Sequence, residues 1–155
     1  MLYFSYGSNM DPSQIRRRCP SARFVTVALL PDHALTFPIR SPRRRCAAAG
    51  IVPAKGKSVW GVVFRITASR DITALDQAEG YRFPGSRKNR YRRVSCIVYA
   101  DQIPSKPVQV YTYLARSDRY TPLPSLDYLN QMRRGAADWG LPDFYREFLR
   151  NIRPQ

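Results

Sequence analysis

Val59-Trp60-Gly61-Val62-Val63-Phe64-Arg65-Ile66 is the stretch on which the fold turns. Apart from Gly61 and Arg65 every residue in it is apolar, and β-branched and aromatic side chains dominate. Such a short run, bounded by turn residues, reads as a strand buried on both faces. On its N-terminal side Ala47 to Val52 also reads as a strand, and Lys55-Gly56-Lys57 between the two reads as a turn. No helix separates them.

Further toward the N-terminus, Pro42 to Arg45 reads as a loop. Ala22 to Leu30 and Leu35 to Ile39 are strand-like pieces with prolines at their flanks. The chain opens with an aromatic strand, Leu2 to Tyr6, interrupted by Gly7-Ser8-Asn9. Asp11-Pro12 then has the form of a helix cap with proline in the first turn, and the short helix it starts is stopped near Pro20. On the C-terminal side, Ser69 to Ala78 reads as a helix capped by Ser69 or Asp71 and closed by Gly80. Tyr81 to Asn89 is a polar loop. Tyr91 to Tyr99 and Val108 to Leu114 alternate as strands, and Tyr120 to Pro124 turns the chain. Leu126 to Ala137 reads as a helix. Pro142 to Ile152 reads as an amphipathic helix with Phe144, Phe148 and Leu149 at helical spacing. Strands that follow one another without intervening helices predict an α+β fold, a largely antiparallel sheet or barrel with helices outside. A length of 155 residues, with no linker or repeat, predicts one domain over 1–155.

Composition narrows the function classes. No run approaches the ~18 apolar residues of a membrane span, and the first residues lack the features of an export signal. Cys19, Cys46 and Cys96 are odd in number and widely spaced, and His33 is the single histidine. That pattern argues against a zinc site and for free thiols in a reducing cytoplasm. The net charge of +15 attracts anions generally, but no nucleic-acid reader motif accompanies the arginine clusters. Nothing in the pattern sets an oligomeric state.

Two places can carry chemistry. Tyr6-Gly7-Ser8-Asn9, delivered by a strand to a helix start, forms a ring of backbone N–H groups beside a positive helix end, a cradle for an anion. The second is Glu79, in the last turn of its helix and just before Gly80. The helix dipole disfavours a carboxylate there, and burial would raise its pKa toward the range useful for proton transfer. Ten tyrosines are many for this length, and buried hydroxyls need partners. His33, in a Pro-Asp-His turn, reads as structural. Ser8 lacks the G-x-S-x-G context and the base of a covalent nucleophile.

Taken together, Tyr3 to Met10, Pro20-Ser21-Ala22 with its following strand, Val59 to Val63 and Leu75-Asp76-Gln77-Ala78-Glu79-Gly80 resemble the γ-glutamylcyclotransferase family and its AIG2-like relatives. Pro122 to Tyr128, Gly135-Ala136, Gly140-Leu141-Pro142 and Tyr145 extend the resemblance over almost the whole chain. It implies a mixed, largely antiparallel β-barrel flanked by helices; no cofactor and no metal are expected. It implies that Glu79 is the catalytic acid–base and that Tyr6, Gly7, Ser8, Asn9, Met10 and Asp11 hold a γ-glutamyl substrate. Tyr91 and Tyr113 would line the pocket, and Tyr128 would contact the ligand. The implied reaction is cyclisation to 5-oxoproline, with the leaving amine left open. The alternatives are a γ-glutamylamine cyclotransferase or related acyltransferase and, in another class, a cationic RNA- or anion-binding module. The arginine-rich Arg82 to Arg93 segment and the Pro42 to Arg45 loop depart from the family pattern and bear on substrate identity.

Overall fold

A computed structural model describes residues 1–42, 44–100, 106–116 and 123–155. Arg43, and Tyr120 to Pro122 of the expected late turn, lie outside the described residues. The elements run β1 (Leu2–Ser5), a single 3₁₀ turn (Ser8–Met10), α1 (Pro12–Arg18), β2 (Arg23–Ser41), β3 (Cys46–Arg65), α2 (Ser69–Glu79), β4 (Tyr91–Ala100), β5 (Pro107–Ala115), α3 (Leu126–Asp138) and α4 (Asp143–Arg150).

The strands close into a barrel in the order β1-β3-β2-β4-β5. All neighbours are antiparallel except β1 and β5, which pair in parallel through Tyr3 and Tyr111. The barrel is therefore mixed and largely antiparallel, as the resemblance implied. Its centre is the Val59 to Phe64 run. Val59, Val62 and Val63 are completely buried, and Phe4 of β1 and Phe64 pack with them. Burying each such side chain contributes about 1.5–3 kcal/mol.

The four separate strand pieces expected over Ala22 to Ile39 and Ala47 to Ile66 are two long strands, β2 and β3, paired as one hairpin. The turn chemistry is real but makes a bulge. Pro31 pairs with Ser58 and His33 with Pro53, so the Lys-Gly-Lys segment loops out opposite Asp32. Asp32 and Gly56 both take positive φ, and the Gly56 N–H donates to the Asp32 carboxylate over 2.8 Å. An inserted segment bends the strand without ending it. The far half of the hairpin, rich in alanine, lies against Tyr91, Tyr128 and Ala115. His33 accordingly sits in β2, its Nδ1 2.7 Å from the Pro31 carbonyl.

At α1 the sequence expectation holds: Asp11 accepts the Gln14 N–H at 2.9 Å with Pro12 in the first turn. At α2 it does not. Ala68 occupies the cap position without a side-chain bond, and Asp71 accepts instead from the Ser21 N–H at 2.7 Å, tying α2 to the segment after α1. Gly80 ends α2 in the left-handed conformation (φ 65°) that glycine adopts without steric cost. The last helix is shorter than expected, and Tyr145 and Leu149 form its buried face while Phe144 and Phe148 are exposed. No helix among the described residues is long and apolar enough to cross a membrane.

Candidate active site

The end of β1 turns through Ser8–Met10, closed by the Met10 N–H to Gly7 carbonyl bond and the Asp11 N–H to Ser8 carbonyl bond. The turn aims Asn9 inward, where it is buried. The Asn9 carbonyl oxygen accepts from Gln14 Nε2 at 3.0 Å and from Arg18 Nη1 at 2.5 Å. Two donors on that oxygen fix the orientation of the amide. Its nitrogen therefore faces the other way, donating at 2.9 Å to the Tyr3 hydroxyl and at 2.9 Å to Glu79 Oε1. The N–H groups of Ser8 and Asn9 have no acceptor among the described residues.

Glu79 reaches this turn from the opposite wall, at the last residue of α2. Its side chain is 16% exposed, and Arg18 lies 3.9 Å away. Burial pushes its pKa above the ordinary carboxylate value, opposed by Arg18, by the Asn9 bond and by the more distant Arg90 and Arg44. Between the turn and Glu79 lies a cavity of about 190 Å³. That is below the ~300–1,000 Å³ usual for drug-sized ligands.

Tyr6, Gly7, Ser8, Asn9, Glu79, Tyr91, Tyr113 and Tyr128 all line the cavity. Met10 and Asp11 do not. Met10 is fully buried beneath α3, where Gly135 leaves no room for a Cβ (2.4 Å from the Met10 backbone). Asp11 caps α1 and pairs with Arg134 at 3.1 Å. Gly7 is not left-handed (φ −118°), so its value is space: a Cβ would stand 3.3 Å from the Ala49 Cβ and 3.4 Å from the Tyr128 hydroxyl.

The tyrosine hydroxyls find their partners within the protein. Tyr91 donates to the Ala49 carbonyl at 2.7 Å, and the Ala49 N–H donates to Tyr128 at 2.9 Å. Tyr6 donates to the Tyr113 carbonyl at 2.5 Å, and Tyr113 to Asp76 at 2.6 Å. These bonds clamp the hairpin, β5 and α2 around the cavity. Tyr3, Gln14 and Arg18 are not among the residues expected here, and Arg44 and Arg90 are the members of the Pro42 to Arg45 loop and the Arg82 to Arg93 segment that reach the cavity. Helical geometry holds the signal for two of them: residues four apart on α1 share a face, so Gln14 and Arg18 point inward together while exposed Arg17 cannot.

Residues 3–130 match the family model described as Gamma-glutamyl cyclotransferase, AIG2-like. The chain is 35% identical to the gamma-glutamylcyclotransferase of Mus musculus over 157 aligned positions, covering 99% of this chain and 79% of the mouse protein. The Homo sapiens gamma-glutamylcyclotransferase is 32% identical over the same coverage. A solved structure of a gamma-glutamyl cyclotransferase superposes with a TM-score of 0.89 at 31% identity, covering 100% of this chain and 89% of that one. A match across the barrel, the N-terminal turn and the helix that ends in Glu79 places the chain in the gamma-glutamyl cyclotransferase, AIG2-like family.

Proposed function

We propose that this protein is a γ-glutamylcyclotransferase that works by proton transfer through Glu79, releasing 5-oxoproline from a γ-glutamyl amino acid or related compound in a reducing cytosol. The observation that carries the mechanism is the Glu79 carboxyl, largely buried, facing the N-terminal turn and bonded to Asn9 at 2.9 Å.

A γ-glutamyl compound carries its own nucleophile. Glu79 accepts a proton from the α-ammonium, and the freed amine attacks the γ-carbonyl, closing a five-membered ring. The tetrahedral intermediate then collapses, the C–N bond to the leaving amine breaks, and Glu79 returns the proton to that nitrogen. The second proton of the attacking nitrogen also passes to the amine, which departs as an ammonium and leaves the neutral lactam. The free N–H groups of Ser8 and Asn9 hold either the oxyanion or the α-carboxylate. Holding the substrate in its folded form removes the cost of freezing its chain before closure, one oxyanion donor contributes ~3 kcal/mol, and acid–base catalysis adds about 10²–10⁴-fold.

A panel of γ-glutamyl compounds assayed for 5-oxoproline tests the reading, with Glu79→Gln beside the wild type. The variant should fold and lose turnover, and no glutamyl adduct should form on Ser8. Wild-type turnover by Glu79→Gln would remove the role of Glu79.

A further inference from the structure

The charged groups lining the cavity, among the described residues, are Arg18, Arg44, Arg90 and Glu79. With Glu79 ionised, three guanidiniums face one carboxylate. The γ-glutamyl moiety cannot correct this imbalance, because its α-ammonium and α-carboxylate cancel.

The three arginines are not equivalent. Arg18 stands 3.9 Å from Glu79 and holds Asn9. Arg44 enters from the turn between β2 and β3. Its guanidinium donates to Gln131 at 2.5 Å and Gln14 at 2.7 Å and lies 5.0 Å over the Tyr128 ring. All three contacts orient the head group and none neutralises it. Arg90 comes from the loop before β4, its stem packed beside Gly80. Its side chain makes no hydrogen bond or ion pair among the described residues. Two other arginines near the site are neutralised: Arg93 sits on Asp76 at 2.8 Å and Arg134 on Asp11 at 3.1 Å.

We propose that Arg44 and Arg90 are specificity-determining residues that read a doubly anionic leaving group, an amino acid with an acidic side chain bonded through its nitrogen to the γ-glutamyl carbonyl. Its α-carboxylate and side-chain carboxylate bring the occupied cavity to charge balance. Arg44 is half-buried and Arg90 is exposed at the cavity rim, so complementary charge there discriminates by orientation and attraction, modestly per pair. A γ-glutamylamine, with an uncharged leaving group, leaves both guanidiniums unmatched. This inference rests on the cyclotransferase reading and deepens it.

The test compares kcat/KM for γ-glutamyl-glutamate, γ-glutamyl-alanine and γ-glutamyl-methylamine, with γ-glutamyl-lysine added for Arg90→Glu, in wild type, Arg90→Gln, Arg90→Glu, Arg44→Gln and Arg44→Lys. Wild type should favour γ-glutamyl-glutamate over γ-glutamyl-alanine by about tenfold or more, and γ-glutamyl-alanine over the methylamide. Arg90→Gln and Arg44→Gln should each collapse the first ratio, chiefly through KM, because the contact is made in ground and transition states alike. Arg90→Glu should shift preference toward γ-glutamyl-lysine. Arg44→Lys, which keeps the charge, should retain more of the ratio than Arg44→Gln. Equal wild-type kcat/KM for the three substrates, or ratios unmoved by the substitutions, overturns this inference and leaves the cyclotransferase reading standing. Failure of every γ-glutamyl compound to give 5-oxoproline overturns both.

Discussion

Asn9 and Glu79 lie 70 residues apart in the chain, and the amide of one donates to the carboxylate of the other at 2.9 Å across the cavity. The bond has a direction because Gln14 and Arg18 hold the amide oxygen from behind. The N-terminal turn therefore fixes the position of the Glu79 carboxyl, and Arg18 of α1 opposes the pKa rise that burial imposes on it.

Substituting Arg18 tests that coupling. Burial raises the pKa of Glu79, and Arg18 is the largest influence holding it down. In the proposed reaction Glu79 has to be ionised to accept the ammonium proton. In Arg18→Gln the ionised form loses its cation, the pKa rises further, and the acid limb of the kcat/KM profile moves to higher pH. Arg17→Gln, on the exposed face of the same helix, leaves the limb in place. A pH–rate profile over both variants decides the matter, and an unmoved limb in Arg18→Gln would break the coupling.

Asp11→Ala probes the base of the same arrangement. The Asp11 carboxylate caps α1, and losing such a cap costs about 1 kcal/mol. The first turn of α1 carries Gln14, so a frayed turn loosens the donor that orients Asn9. Both a lower unfolding midpoint and reduced kcat follow. Arg134→Gln, which removes the exposed partner of the buried Asp11 carboxylate, should lower the midpoint less than Asp11→Ala and spare kcat, because the cap bond to the Gln14 N–H remains. Urea unfolding of the two variants beside activity separates capping from charge.

How much of this the sequence discloses depends on whether the signal is local. The strand at Val59 to Phe64, the Asp11-Pro12 cap and the Gly80 helix end are written in neighbouring residues and are legible there. Glu79 announces itself by sitting at the wrong end of a helix dipole. What stays hidden is relational. Lys55-Gly56-Lys57 has turn chemistry, but only pairing with β2 makes it a bulge inside a strand. Ala68 caps α2 because Asp71 is drawn to the Ser21 N–H, 50 residues away. Arg44 and Arg90 look like members of surface clusters until the hairpin and the β4 loop bring them to one cavity. Met10 reads as part of the binding loop, and the close approach of Gly135 removes it from the surface.

Tyr113→Phe separates a structural tyrosine from a ligand-binding one. Its hydroxyl donates to Asp76 at 2.6 Å, and Arg93 completes the carboxylate at 2.8 Å and 3.1 Å. Removing one donor from a charged acceptor costs about 1.5–3 kcal/mol. The loss should therefore read mainly as a lower unfolding midpoint, with a far smaller effect on turnover than Glu79→Gln. A collapse of kcat at unchanged stability would instead make that hydroxyl part of the reaction.

Glu79→Gln should gain stability as it loses activity, and the gain should depend on pH in a set direction. The carboxyl has a higher pKa in the folded protein than in the unfolded chain, with burial as the largest cause. The folded state thus binds the proton more tightly. The stability this confers is fully present below the unfolded pKa and is lost as pH rises through the folded value. Above that point the wild type keeps an ionised carboxylate in a site that disfavours it, and a neutral glutamine of nearly the same shape does not. Thermal unfolding should show Glu79→Gln more stable than wild type at pH 8, with the difference shrinking toward pH 4. A variant less stable than wild type by the same margin at every pH would mean that the carboxylate is at ease where it sits, and that the strain needed for proton transfer at neutral pH is absent.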